Sequence, residues 1–304
     1  MATQTIATLA GGTGGTNLLP RNVSSEIWQK ARDLSLVPSL STNVPIILGE
    51  NTFPTVTKRP AASIVGEGGN KPASDIQVGA KTIKPIKAVV GLEFTMEAIM
   101  TNPAGVLGLM QDELAGAIAR QIDLAVLHGR QASDGAALTG GLEFVNQTTN
   151  RVELTTPANS DAELWAGYGL VVNGSADFTG FALDPRLVFS LASARNATTG
   201  QRLNPDVQMG SAVTSYAGQR VAVSKTVSGQ VDASADTKVR GFGGDWNALK
   251  FGYALDLFTK KIEYGDPFGN GDLQRRNAVA YLTEVIFGWA VMDKTAFVAF
   301  DDAV

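Results

Sequence analysis

The chain has 304 residues, a formal net charge of -4, a single histidine and no cysteine. That length can bury one large core or two intimate ones, and the acidic balance argues against a nucleic-acid reader, which carries a basic stripe. Without cysteine there is no disulfide, thiolate nucleophile or Cys-ligated zinc. No stretch approaches the roughly 20 uninterrupted apolar residues of a membrane-spanning helix, so a soluble chain with no membrane partner is expected.

Taken in chain order, residues 3–17 are rich in Gly and Thr and lack the apolar side chains that would offset the entropy of ordering, so they read as a flexible arm. A short helix is expected next, capped by Ser24 or Ser25, with Ile27, Ala31 and Leu34 on one face. Between Val44 and Thr95, Pro54, Pro60, Pro72 and Pro85 interrupt β-favouring runs around a sharp turn at residues 66–70. The two flanks are expected to pair as a long ribbon carrying Lys58, Arg59, Lys81, Lys84 and Lys87. A lone two-stranded ribbon is marginal in water, so it is expected to rest on another chain. Its lysines then read as a solvated flank or as partners for acids of the next subunit.

The spacing predicts one long helix over residues 103–128, with Asn102 as cap, Pro103 at the first helical position and Gly129 as the stop. Leu107, Met110, Leu114, Ile118, Ile122 and Ala125 recur at three- and four-residue steps, an apolar stripe along a helix of roughly 39 Å. Ser160 and Glu163 fit a capping box ahead of Leu164, Trp165 and Tyr168. Asp184 and Pro185 open another helix with Leu187, Leu191 and Ala194 in register. Short β-runs are expected at 220–224, 238–242 and 249–253, and a long alternating strand over 275–292 through Val279, Tyr281, Thr283, Val285 and Phe287. Helices mixed with short strands make an α+β or α/β lobe.

Candidate chemistry is sparse. A Ser-His-Asp site would join His128 to Ser133 or Asp134, but no Gly-x-Ser-x-Gly elbow accompanies it, and a helix-terminal His is favoured by the dipole alone. Glu93 and Glu97 stand four apart, yet a strand running into a helix there would separate them, leaving Glu97 as a helix N-terminal carboxylate. Residues 10–16 superficially match a Gly-rich phosphate loop, but the apolar prelude is too short for a strand and no helix follows. Asp266, Asn270 and Asp272 offer oxygen ligands without EF-hand spacing, which suits a turn better than calcium. No catalytic, cofactor or metal residue is therefore expected, and the chain reads as no enzyme.

One set of motifs recurs in a recognisable order. It runs Val37-Pro38, Pro60-Ala61-Ala62, Val65-Gly66-Glu67-Gly68-Gly69-Asn70-Lys71-Pro72-Ala73-Ser74, Pro85-Ile86-Lys87 and Leu92-Glu93-Phe94-Thr95-Met96-Glu97. It continues with Gln121-Ile122-Asp123-Leu124-Ala125-Val126-Leu127-His128-Gly129, Arg276-Asn277-Ala278-Val279-Ala280-Tyr281 and Lys294-Thr295-Ala296-Phe297. This order resembles the HK97-fold major capsid proteins of tailed bacteriophages. The resemblance implies an α+β, HK97-like fold with an N-arm (1–45), an extended E-loop (46–90), a peripheral domain (91–159) with a spine helix (103–129), an axial domain (160–272) and a return to the peripheral domain (273–304).

The function so implied is a structural subunit that assembles into hexamers and pentamers of an icosahedral shell around double-stranded DNA, without sequence-specific binding. Its place is the virion capsid, put together in the host cytoplasm. Its partners are copies of itself, with a separate scaffold, a portal and decoration proteins as further candidates. No long charged helical segment precedes the arm, so a separate scaffold or none is expected. Lys58, Arg59, Glu67 and Lys71 on the ribbon and Trp28 on the early helix are the candidate assembly residues. Two alternatives are an encapsulin-like cargo shell on the same fold and, from another class, a nucleotide-binding enzyme built on residues 160–272. The latter needs a Gly-rich turn between a strand and a helix, and none is present there.

Overall fold

A computed structural model describes residues 35–101, 106–196, 198–207 and 213–303. The predicted Gly-rich arm, the early helix with Trp28, and the helix-opening pair Asn102 and Pro103 lie outside these residues. The described chain begins with a short helix, α1 (Val37–Leu40), and a two-residue strand, β1 (Thr42–Asn43). The ribbon follows as β2 (Asn51–Lys58) and β3 (Gln77–Ile83), then β4 (Ile86–Thr95), α2 (Met96–Thr101) and the long α3 (Val106–His128). Next come β5 (Arg151–Leu154), α4 (Ser160–Asn173), β6 (Gly180–Leu183), α5 (Pro185–Ser193), β7 (Ser215–Tyr216) and β8 (Gln219–Val223). The chain closes with β9 (Val239–Gly244), β10 (Leu249–Ile262), β11 (Ala278–Val291) and β12 (Phe297–Asp302).

Three sheets result. The ribbon pairs β2 with β3 alone; a four-stranded sheet runs β1-β10-β11-β4; and a six-stranded sheet runs β5-β12-β9-β6-β8-β7. The strands interleave along the sequence: β10 lies between β1 and β11 of the first sheet, whereas β12, after it, sits between β5 and β9 of the second. In the four-stranded sheet the predicted alternation holds. Val279, Tyr281, Thr283, Val285 and Phe287 are all buried, and the strand pairs antiparallel to β4 along its length. The 249–253 run is longer than expected, reaching Ile262, because two register shifts between Tyr253 and Phe258 break its alternation without ending its pairing to β11.

The helix α3 bears out the predicted stripe. Met110, Leu114, Ile118, Ile122 and Ala125 are all buried, and Gly129 ends the helix at φ +63° with its N–H donating to Ala125 O. Beyond the stripe, Leu124, Val126 and Leu127 are buried too, so the last turns are enclosed on every side. One core joins Ala115, Ile118, Ile122 and Val126 of α3 to Phe251, Phe287 and Trp289 of one sheet and Phe242, Phe297 and Ala299 of the other. Alternation along β12 then assigns the opposite face. Val298 and Phe300 pack in a second core with Leu164 and Val171 of α4 and Leu187 and Leu191 of α5.

Local details correct two expectations at α4. The capping box does not form: Ser160 Oγ donates to Thr156 O, and Glu163 Oε1 accepts the Thr155 N–H (2.9 Å) instead. Trp165 is half exposed, so only Leu164 of the expected apolar trio is fully enclosed. At α5 the cap is as expected, with the Asp184 carboxylate accepting the Arg186 N–H at 2.8 Å.

Glycine explains two close approaches. Gly252 and Gly288 face each other across β10 and β11; a Cβ at 252 would lie 2.1 Å from Val44 O, and one at 288 would lie 2.6 Å from Ile83 Cγ2. β9 (Val-Arg-Gly-Phe-Gly-Gly) is wholly buried for the same reason, since a Cβ at Gly243 would meet Phe178 at 2.6 Å. Gly252→Ala is therefore expected to cost about 2–3 kcal/mol, because the obstructing atom is backbone and cannot swing away. Gly169→Ala on α4, which meets nothing within 4 Å, is expected to be neutral or stabilising by up to about 1 kcal/mol. Urea midpoints of the two variants against the parent measure both.

Candidate functional site

The residues first weighed for chemistry are held in structural roles. His128 is buried at the end of α3, its Nε2 2.9 Å from Val227 O and its Nδ1 3.4 Å from Asn146 Nδ2. Asp134 caps the Ala136 N–H of its own turn, so no triad forms with the imidazole. Burial drives the His128 pKa down to about 4, the Val227 carbonyl opposing and the Arg130 charge adding to the shift. Glu93 lies on β4, buried, paired with Arg276 and accepting from Asn270 Nδ2 at 3.1 Å. Glu97 opens α2, where the hydrogen bond from its own backbone N–H and that from Asn277 Nδ2 (2.6 Å) lower its pKa. The Asp266 carboxylate accepts the N–H groups of Asn270 (2.8 Å) and Gly271 (2.9 Å), the turn expected from its glycines. Among the described residues no cluster of His, Asp and Glu has the disposition to hold a metal ion. The most charged cluster is likewise closed on itself: Arg240 pairs with Asp236 and Asp302, and Arg186 with Asp236.

Asp123 is a buried acid that the residue patterns did not single out. It sits on α3, only 1% exposed, and accepts four hydrogen bonds: from Ser35 Oγ, Leu36 N (3.2 Å), Val37 N (3.3 Å) and Thr226 Oγ1 (2.9 Å). The carboxylate thus caps α1 where the chain enters the body and ties that entry to α3 and to the 225–228 turn. Burial raises its pKa to about 6, although all four donors pull it down. A lone carboxylate in the apolar run 122–127 was the available signal.

The ribbon carries the candidate assembly residues. β2 and β3 pair from Asn51↔Ile83 to Lys58↔Gln77, and the Gly69 N–H donates to Gly66 O in the expected turn. Lys58, Arg59, Glu67 and Lys71 are all exposed along it; Lys58 pairs with Asp75 at 3.6 Å, and the other three make no ion pair among the described residues. The remaining ribbon lysines find acids within their own chain: Lys84 with Glu50, Lys87 with Glu284 and Lys81 with Glu143. These pairs lie within one subunit, a third arrangement beside the solvated flank and the neighbour's acids expected from the sequence. Apolar side chains stay uncovered on the same ribbon, with Ile64 fully exposed and Val56, Ile76 and Val78 more than half exposed.

Residues 15–302 match the phage capsid family. The probable major capsid protein gp17 of Mycobacterium phage D29 is 25% identical over 292 residues, which span 92% of this chain and 89% of that protein. A solved chain of Gordonia phage Cozz is 54% identical and superposes with a TM-score of 0.82 over 98% of this chain and 95% of its own length. One of Mycobacterium phage Ogopogo is 31% identical, with a TM-score of 0.81 over 99% and 100%. The capsid of an empty GTA particle, computed with C5 symmetry, shares the fold at 12% identity, with a TM-score of 0.62 over 98% and 97%. The family match over nearly the whole chain, the major capsid relatives and the superposed phage chains define the class as a phage capsid protein. The chain belongs to the phage capsid family. It is a structural subunit of the major capsid class that builds a shell with copies of itself, and the nucleotide-enzyme reading of residues 160–272 falls.

Asp123 and His128 act in one pH window with opposite sign. Asp123 has a folded pKa above its ordinary 3.8, so its contribution is complete below that value and is lost as pH rises through about 6. His128 is depressed below its ordinary 6.5, so its neutral form stabilises above that value and the contribution is lost as pH falls toward about 4. Each is worth on the order of 3 kcal/mol, so they largely cancel between pH 4 and 6.5. Asp123→Asn removes one side of the balance and is expected to lose stability more steeply than the parent on acidification. Urea unfolding at pH 7, 5.5 and 4.5 measures it; parallel curves for the two proteins would refute the compensation.

Proposed function

We propose that the chain is the subunit of an icosahedral shell that closes from rings of five and six copies around double-stranded DNA, in a virion assembled in the host cytoplasm. The observation that carries this reading is the ribbon. It has no core of its own, leaves Val56, Ile64, Ile76 and Val78 uncovered, and is too slight to persist alone in water. A neighbouring subunit supplies the missing surface. In this reading residues 46–90 are the arm laid on that neighbour, 91–159 with α3 form the peripheral part, 160–272 supply the lobe at the ring centres, and 273–304 return to the periphery. The first 45 residues, Trp28 among them, are a second arm. The C5 symmetry of the empty GTA capsid, a relative in fold alone, fits rings of five.

Rings close because one subunit presents different edges to successive neighbours, and many weak contacts sum through geometry. An acidic protein with formal net charge -4 encloses DNA without gripping its phosphates. A separate scaffold, a portal and decoration proteins are the further partners.

Negative-stain electron microscopy and light scattering of the purified protein are expected to give closed shells or uniform rings; a monomer at every concentration, with or without a scaffold, would overturn the reading. Replacing Lys58, Arg59, Glu67 and Lys71 together by Ala is expected to reduce shell yield while shifting the unfolding free energy of the dispersed subunit by no more than about 0.5 kcal/mol, since all four are exposed. An equal yield of shells would remove these residues from the interface.

A further inference from the structure

The base of the ribbon combines two unlike attachments. One is apolar: Ile83, fully buried, sits over Gly288, where a Cβ would come within 2.6 Å of its Cγ2, and Ile46 and Ala290 complete the small cluster. Such a contact has no preferred direction. Val44, Phe53, Ala254 and Met292 pack around it, partly buried. The other is ionic and directional. Two residues toward the tip, Lys81 Nζ donates to Glu143 Oε2 at 2.6 Å, while Lys294 Nζ reaches the other oxygen, Oε1, at 3.1 Å. Glu143 is itself fixed, because its carbonyl accepts the indole N–H of the buried Trp289 at 2.7 Å. Among the described residues, Lys81–Glu143 is the one ion pair that joins a ribbon strand to the body.

We infer that Ile83 in its glycine socket is a pivot and that the Lys81–Glu143–Lys294 triad is the latch setting the angle at which the ribbon leaves the subunit. The pivot holds the ribbon at any of several angles; the latch selects one. Lys81, Glu143 and Lys294 side chains are about one-third exposed (34%, 34% and 36%), so salt reaches them. Burial alone would raise the Glu143 carboxyl, yet the hydrogen bonds and charges of both lysines hold it below its ordinary range. Lys294 neutralises the second oxygen and anchors Glu143 on the body side, leaving Lys81 as the part that lets go. The use of the latch in fitting the ribbon to neighbours at different curvatures rests on the shell reading above; the latch itself is a property of the free subunit.

The test exploits a chain without cysteine. Spin labels at Val56→Cys on β2 and Asn173→Cys at the end of α4, both exposed, report the ribbon–body distance in the dispersed full-length subunit by double electron–electron resonance. The labelled parent at low salt is expected to give one narrow peak. Glu143→Gln and Lys81→Met each lose it to a broad distribution, as does the parent at 1 M NaCl, where the screening length is about 3 Å; Lys294→Met, which frees Glu143 on the body side while keeping the Lys81 pair, broadens it less. Narrow peaks at the parent distance in both Glu143→Gln and Lys81→Met, with parental thermal midpoints, would overturn the latch. Electron microscopy of the unlabelled parent separates the two ideas, since failure to form shells refutes the shell reading and leaves the distance distributions to decide the latch.

Discussion

The last turns of α3 are enclosed on every side, and both larger sheets are built against them. Ile122 and Val126 share one core with aromatic rings from β10 and β11 and from β9 and β12. Such a helix cannot shift without opening both sheets, which makes it the rigid member between the two parts of the subunit. Its enclosure also creates a cost. Asp123 and His128 lie within those turns, and a polar group in that setting is tolerated only when its hydrogen bonds are made. The donors come from distant segments: Ser35 with the α1 backbone, and Thr226. The buried acid thereby converts a packing constraint into the fixed entry point of the chain.

Much of this was legible in the sequence because the determining patterns are local. The three- and four-residue steps from Met110 to Ala125 specify α3, and strict alternation from Val279 to Phe287 specifies β11. The ribbon announced itself through prolines and the Gly66–Gly69 turn. What escaped depends on partners far along the chain. β10 continues past Tyr253 through two register shifts that no single-strand pattern encodes. The β-run expected at 238–242 goes on through Gly243 and Gly244, a poor strand ending in isolation, because Phe178 and the chain at Ala296 press against its backbone. Glu163 turns back to Thr155 although Ser160 stands at the spacing of a capping box. Glu143 lies in a loop without periodicity, so its two lysines were invisible; the ribbon lysines read as a solvated flank or as partners of a neighbour's acids, and Lys81, Lys84 and Lys87 have acids of their own chain.

The polar residues that looked most like chemistry are the ones the fold uses to stop and fasten its elements. His128 ends α3, Glu97 begins α2 and Asp266 closes a glycine turn. A subunit that works by shape concentrates its charged side chains at corners and joints, because a defined angle between elements is what assembly reads.

The pairing of the ribbon lysines within their own chain has a thermal consequence. Lys58, Lys81, Lys84 and Lys87 are each matched to a carboxylate of the same subunit, which leaves Arg59, Glu67 and Lys71 as the ribbon charges outside any ion pair among the described residues. In the proposed shell, the uncovered aliphatic side chains Val56, Ile64, Ile76 and Val78 then supply the apolar share of the contact. Apolar association weakens on cooling and strengthens with excluded salts such as sulfate. A lattice fastened in this way belongs to the entropy-driven kind: it sets on warming, loosens in the cold, and takes its tightness from the solvent it expels.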